Sequence, residues 1–536
     1  MPTVYVNDRA IEVPEGLNMI QVAKLLGIEI PHFCYHPGLG VDGNCRLCLI
    51  EVEGIPKPQV ACNTFVKDGL KIRTETERVH ELRKAVLEFF FLNHPLDCPI
   101  CDQSGECLLQ DFYMRHGQYE SRLDLPKVHK RKVVDVGPRV VLDAERCVLC
   151  TRCVRFCDRV TGTGELRIIN RGNRSEIGTF PGKPLDNPYS LNTVDLCPVG
   201  ALTSKDFRFQ CRVWFLSSAK SICAGCSRGC NIYMEQNEGT IHRLRPRENQ
   251  EVNRWWMCDE GRRTYVPLNE NRCEVPSIGG EEVTHEEALE AIASAIRAAR
   301  EKGGDGAVRM FLSPEMSNEA LYAARAFARQ VLDGAPIVAG SRKPAGVEDA
   351  ILRKADRTPN RRGCEALGLW TDDLAAEIGK GGGLAIVIQN DLAAHDPALA
   401  RLLEKYARVL YLATNEDATS RLAGIVHPVT PHSEFDGSFT NFEGRVQLFR
   451  RSVTPRGDAL TVMELLRRIA ARLGVEFGWV NRNAIWAEMA RAVPEFEGMS
   501  PSAIGDSGML LASLRPRAAG TAGSAGESEP QAAERG

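Results

Sequence analysis

The sequence predicts a multidomain protein, α+β in its first half and α/β in its second. Three observations carry that prediction. At 536 residues the chain is too long for one hydrophobic core. Of its 19 cysteines, all but Cys273 and Cys364 fall between Cys34 and Cys258, in four spaced groups that call for small cysteine-bearing units. Beyond about residue 275, short apolar runs alternate with helical patterns, as in a mostly parallel sheet with crossover helices. The 43% hydrophobic content is that of a globular chain, and a formal charge of -3 gives no pull toward nucleic acid. No apolar run approaches the roughly 20 residues that span a bilayer. The N-terminus, Met-Pro-Thr-Val-Tyr-Val-Asn, alternates like a strand and lacks signal-peptide organisation. Membrane contact is therefore expected only through partners.

Residues 1–78 read as a β-rich domain. Val4 and Val6 alternate with polar residues, Asn7-Asp8 marks a turn, Ile11-Glu12-Val13 opens a second strand, and Leu17 to Leu26 is apolar at helical spacing. Cys34-x10-Cys45-x2-Cys48-x13-Cys62 follows. Glycines 38, 40 and 43 let the first loop fold closely around a cluster and aim amides at its sulfurs. Four thiolates from one loop and one later strand suit a 2Fe–2S centre, although the first gap is longer than in plant-type ferredoxins. Val79, Leu82, Val86 and Phe90 define a helix over 79–93. It delivers His94 and then Cys98-x2-Cys101-x5-Cys107. Three cysteines leave a cube one ligand short, and an imidazole can supply it. The alternative is that His94 is free and another cysteine completes the site.

The charged stretch 119–138 suits a connector. Cys147-x2-Cys150-x2-Cys153, answered by Cys197-Pro198, is a spacing that wraps an iron–sulfur cube. Cys157 lacks the following proline of two-cluster ferredoxins and is taken as a small buried residue, with Cys211 unassigned. A fourth group, Cys223-x2-Cys226-x3-Cys230-x27-Cys258, encloses a hairpin pattern that turns at Asn237-Glu238-Gly239. Arg228, Arg262 and Arg263 stand where they could offset cluster charge, or else belong to a solvated surface. A disulfide framework belongs to short secreted chains. Zinc is the stronger rival, since C-x2-C pairs also build zinc knuckles.

In the second half, Thr284-x-x-Glu287 is a capping box that opens a helix with Ala288, Leu289, Ile292 and Ile296 on one face. Asn318 to Leu332 is a second helix. Val308–Leu312, Leu384–Ile388 and Val409–Leu412 are strand-like runs. Gly379-Lys380-Gly381-Gly382-Gly383 is loop-like but no phosphate loop, since no Ser or Thr follows the lysine and a strand comes next. Beyond about Arg515 the composition predicts disorder.

The four groups, in this order and spacing, resemble the large iron–sulfur subunit of respiratory complex I, the G-subunit family of bacterial NADH:quinone oxidoreductases. The resemblance covers the chain except its tail. It implies one 2Fe–2S cluster on Cys34, Cys45, Cys48 and Cys62. It implies three 4Fe–4S clusters: on His94, Cys98, Cys101 and Cys107; on Cys147, Cys150, Cys153 and Cys197; and on Cys223, Cys226, Cys230 and Cys258, the last off the main electron path. The implied domains are a 2Fe–2S ferredoxin-like (β-grasp) domain over 1–78, a 4Fe–4S segment with one histidine and three cysteine ligands over 79–118, and a 4Fe–4S ferredoxin-like domain over 119–215. A 4Fe–4S domain of molybdopterin-oxidoreductase type over 216–274, a degenerate α/β domain over 275–514 and a disordered tail over 515–536 complete the series. No catalytic residue is implied. The chain would relay electrons from a flavin- and NADH-binding subunit, among other peripheral-arm iron–sulfur subunits, toward quinone at the cytoplasmic face of the bacterial inner membrane.

Asn360-Arg-Arg-Gly363 and Glu434-Phe-Asp-Gly-Ser-Phe-Thr-Asn-Phe-Glu-Gly-Arg-Val-Gln447 resemble molybdopterin-oxidoreductase phrases. In complex I that domain is a relic, and the short stretch after 515 leaves no room for the further domain of catalytic relatives, so molybdopterin is expected to be absent. Cys364 sits at about the distance where formate dehydrogenases place a molybdenum ligand. Its context, Gly363-Cys364-Glu365-Ala366-Leu367-Gly368, instead matches the complex I phrase, in which a small residue stands there. The rival readings are an NAD-linked formate dehydrogenase subunit, the diaphorase part of an NAD-reducing hydrogenase, and a zinc-stapled scaffold.

Overall fold

A computed structural model describes residues 1–303, 307–341 and 343–515; the expected disordered tail lies, but for Arg515, outside them. Strands β1 (Thr3–Val6) and β2 (Arg9–Glu12) form a hairpin whose turn residues Asn7 and Asp8 both have positive φ, the two-residue turn that matches strand twist. Helix α1 (Met19–Leu25) starts at a capping box in which the Asn18 side chain accepts from the Ile20 and Gln21 amides. Strands β3 (Leu49–Val52), β4 (Ile55–Val60) and β5 (Lys71–Arg73) complete a mixed sheet of order β2-β1-β5-β3-β4, with β1 and β5 parallel. Val4, Val6, Met19, Val22, Ile50 and Ile72 form its core. The cysteine loop lies between α1 and β3, and Cys62 follows β4.

Helix α2 (Glu77–Phe91) begins and ends two residues earlier than its periodicity predicts, its start set by Thr76, whose cap hydroxyl accepts from the Val79 amide. Helix α3 (Leu108–His116) packs against α2. Residues 117–133 contain no helix or strand. Next come a three-stranded sheet (Val134–Asp135, Val140–Leu142 and Leu202–Ser204), helix α4 (Arg152–Arg159), and a short helix, Asn192–Leu196, that ends at Cys197. The predicted hairpin is present as Asn231–Asn237 and Thr240–Pro246, with Glu238 and Gly239 at positive φ, and Ser217–Ile222 adds a third strand.

The second half is built on a seven-stranded sheet. Ile337–Ala339, Val308–Leu312, Gly382–Ile388, Tyr406–Ala413 and Ile425–Pro428 run parallel in that spatial order, and the short Ser277–Ile278 and Glu281–Glu282 extend one edge antiparallel. Its strands are near-continuous hydrophobic runs, as a sheet covered on both faces requires. Helix His285–Lys302 starts at the predicted capping box, and Asn318–Gln330 is capped by Ser317. Gly379 ends a helix and Gly382 begins the strand, so the glycine run is a tight connection. Among the described residues, no helix is long and apolar enough to cross a membrane.

Candidate metal centres

The structure brings the first cysteine set together. The Cys34 sulfur is held in its charged form by hydrogen bonds from the thiols of Cys45 and Cys62, helped by the amides of Cys45 and Gly43; Cys62 likewise holds Cys48 down. Cys45 and Cys62 are pushed up in return. The Phe33 amide donates to Cys45 Sγ at 3.5 Å. Four buried sulfurs sharing protons form a donor set poised for metal, because thiolates are the ligating form.

In the second set, the thiols of Cys98 and Cys101, and of Cys101 and Cys107, lie within electrostatic reach of one another. Burial pushes Cys107 up to about 12, although the amides of Gln110 and Leu109, at the start of α3, point at it. His94 lies just beyond α2, edge-on to Phe91. Its Nδ1 is buried without a hydrogen-bond partner, and burial lowers its pKa to about 4. It is therefore a neutral imidazole with a free lone pair or N–H, the form that binds metals. Arg146 grips Asp97 at 2.7 and 3.3 Å, tying this segment to the third unit.

The third set lines one enclosed cavity: Cys147, Cys150, Cys153 and Cys197, with Val199 and Leu202. Burial and the neighbouring thiols raise Cys147 to about 12, burial raises Cys150 to about 11, and burial also raises Cys153 well above its ordinary value. The amides of Val199, Leu202 and Ala201 point at Cys197, and that of Leu149 at Cys147 Sγ at 3.4 Å. Four buried thiols that face amide dipoles form a donor set suited to a cationic metal core, which would take the place of their protons.

The fourth set also shares one cavity, closed on one side by Gly346, Leu352 and Arg353 from the α/β half. A methyl added at Gly261 would lie 3.0 Å from Cys223 Sγ and 3.2 Å from Cys258 Sγ, and one at Gly200 would collide with Cys101 Sγ. Sequence reasoning missed both glycines, which stand three residues after a ligand; that spacing was the available signal. Gly225 and Gly261 donate their amides to Cys223 and Cys258 at 3.4 and 3.3 Å. Arg228 faces Cys230 and donates to the Leu352 carbonyl. Arg262 pairs with Asp195 instead, and Arg263 is exposed. Among the described residues, no three His, Cys, Asp or Glu side chains close on a single point as ligands of one metal ion do.

Cys157 is fully buried and hydrogen-bonded by the Leu166 amide. Cys364 is fully buried in the apolar core beside Leu367 and Leu369. The two molybdopterin-like phrases are spent on structure. Asn360 accepts from the Thr440 amide at 2.6 Å and donates to the Met316 carbonyl at 2.8 Å. Asn318 donates to Ser438, and Gln447 to the Gly229 carbonyl at 3.0 Å, beside the fourth set.

Four family models match in succession: a 2Fe-2S iron-sulfur cluster binding domain over 1–77, the NADH-ubiquinone oxidoreductase-G iron-sulfur binding region over 83–122, the NADH-quinone oxidoreductase subunit 3 ferredoxin-like domain over 137–203, and the molybdopterin oxidoreductase Fe4S4 domain over 216–269. The first half is thus a string of 2Fe–2S and 4Fe–4S binding domains. The 75 kDa subunit of NADH-ubiquinone oxidoreductase from Reclinomonas americana is 45% identical over 280 residues, 52% of this chain and 40% of that one. The G subunit of NADH-quinone oxidoreductase from Streptomyces coelicolor is 39% identical over 339 residues, 62% of this chain and 40% of the relative. The chain is similar to these NADH-ubiquinone and NADH-quinone oxidoreductase subunits over half or more of its own length, and it spans less than half the length of the curated relatives it matches. A chain of an NAD+-reducing [NiFe]-hydrogenase is 31% identical, covering 40% of this chain and 91% of that one, with a TM-score of 0.36.

Proposed function

We propose that this chain is an electron-relay subunit of an NADH:quinone oxidoreductase, taking electrons from a flavin- and NADH-binding subunit and passing them toward quinone through a neighbouring iron–sulfur subunit. The observation that supports it is that each of the four thiol sets falls within a matched cluster-binding domain, the third and fourth each lining one cavity. We assign Cys34, Cys45, Cys48 and Cys62 to one 2Fe–2S centre and the remaining three sets, with His94, to 4Fe–4S centres. Bound there, the clusters supply one-electron carriers. The chain's residues hold each sulfur, exclude water by burial and aim amides at the thiolates, which sets how readily each centre accepts charge. No substrate bond is made or broken on this chain, which reaches the cytoplasmic face of the membrane through its partners. The burial of Cys364 in the apolar core supports a small packing residue rather than a molybdenum ligand.

Metal analysis of anaerobically purified protein tests this reading. One 2Fe–2S and three 4Fe–4S centres require about 14 irons per chain, with no molybdenum or tungsten. Close to one molybdenum per chain would make it a catalyst, and zinc in place of iron would make it a stapled scaffold.

A further inference from the structure

Helix α4 follows directly on the Cys147-x2-Cys150-x2-Cys153 loop, and its arginines recur at 152, 155 and 159, along one helical face. That face is turned to the first set. Arg152 Nη2 donates to the Tyr35 carbonyl at 2.6 Å, while Nη1 donates at 3.3 Å to Leu196, the residue before Cys197. Arg155 donates to the Cys34 carbonyl and to those of Leu39 (3.3 Å) and Gly40 (3.1 Å), and Arg159 reaches Leu39 at 2.6 Å. The loop that carries the first set therefore sits on guanidinium groups that the third set's own helix supplies.

Arg152 and Arg155 are only 7% and 5% exposed, and their recorded partners are carbonyls and the Thr151 hydroxyl, with no carboxylate among them. Arg152 Nε is buried with no partner at all. A buried cation satisfied only by dipoles carries a desolvation cost that a counter-charge must offset. The groups facing Arg152 that can carry negative charge include the thiols of Cys150 and Cys197, from the third set, and of Cys34 and Cys45, from the first; Arg155 is the cation beside it. One guanidinium thus stands between two metal sets.

We propose that Arg152 is a positioning cation shared by two centres, raising the reduction potential of the first and the third together. The inference rests on the cluster assignment proposed above. An electron added to either centre adds negative charge near the same fixed cation, so both reduced states are stabilised by one side chain.

The test is an EPR-monitored redox titration of the cluster-loaded full chain, comparing wild type with Arg152→Gln and Arg152→Lys. Arg152→Gln is expected to lower the reduced-to-oxidised ratio about tenfold at a fixed potential at both centres, about 59 mV for one electron, while the fourth centre stays in place. Arg152→Lys keeps the charge and is expected to hold both midpoints near wild type. A shift at one centre only, no shift, or an equal shift in Arg152→Lys at full iron content overturns the proposal. Should Arg152→Gln lose iron, Arg152→Lys decides: retained midpoints support the shared cation, and fallen midpoints at full iron sink it. A wild-type chain lacking either EPR signal instead overturns the cluster assignment, a distinguishable failure.

Discussion

At the residue scale, His94 is the most informative side chain. Its buried, unpartnered Nδ1 and lowered pKa describe a ring kept neutral and free to ligate. Replacing it by cysteine exchanges a neutral ligand for a thiolate, adding negative charge to that centre. The expected outcome for His94→Cys is a lower EPR midpoint at the second centre with the other three unmoved; an unchanged midpoint would argue against histidine ligation. The cysteine spacings were legible in the sequence because ligands must follow one another at distances a short loop can span. The supporting residues were not. Arg152 and Arg155 each bond to carbonyls of the first set's loop more than a hundred positions away, and Gly200 matters only because another loop's Cys101 approaches it.

At the element scale, hydrophobic period identified helices α2, His285–Lys302 and Asn318–Gln330 and three of the parallel strands, but not the helices Val462–Arg472 and Arg482–Ala492 or the short strands Ile337–Ala339 and Ile425–Pro428; the start of α2 moved by two residues because Thr76 caps it. No pattern announced the contact between helix His285–Lys302 and strand Ile425–Pro428. There Arg468 donates to His285 Nε2 (3.2 Å), His285 Nδ1 meets His427 Nε2 (3.0 Å), and His427 Nδ1 meets the Pro428 carbonyl (2.9 Å). With arginine able only to donate and the carbonyl only to accept, both rings must be neutral and every proton runs one way. Burial lowers the His427 pKa to about 4, with His285 and Arg468 adding to the effect. The unfolded chain therefore binds this proton first. The stability contributed is whole above about pH 6.5 and is lost as pH falls toward 4, on the order of 3 kcal/mol in all. Urea midpoints followed by tryptophan fluorescence should fall across that window in wild type and vary less in His427→Asn; equal slopes would refute the relay.

At the scale of the whole molecule, the two halves are joined by buried polar groups. Arg272, in the connection leaving the fourth cluster unit, pairs with Glu434 at 2.5 Å with side chains 1% and 0% exposed, and also donates to the Thr414 carbonyl. Burial raises the Glu434 pKa and Arg272 lowers it. Removing one partner leaves a buried charge without its opposite, so Glu434→Gln is expected to destabilise the protein by about 3–5 kcal/mol, read as a lower urea midpoint. A change below about 1 kcal/mol would mean that water reaches the pair. The phrase from Glu434 to Gln447 could be recognised in the sequence, but its work in this chain is to bind Asn318, Asn360, Asn231 and Gly229, which only the fold assembles.

That stitching sets an order of events during synthesis. The Asn231 side-chain amide and the Gly229 carbonyl, beside the fourth thiol set, bond to Gln447, about 190 residues after the last cysteine of that set. At roughly 5–20 residues per second, a ribosome needs about ten to forty seconds to cover that distance. The first set waits for Arg155, 121 residues after Cys34, and the fourth stays ajar longer still, until the sheet behind it has been translated. Of the four thiol sets, the fourth is therefore the last to be walled in.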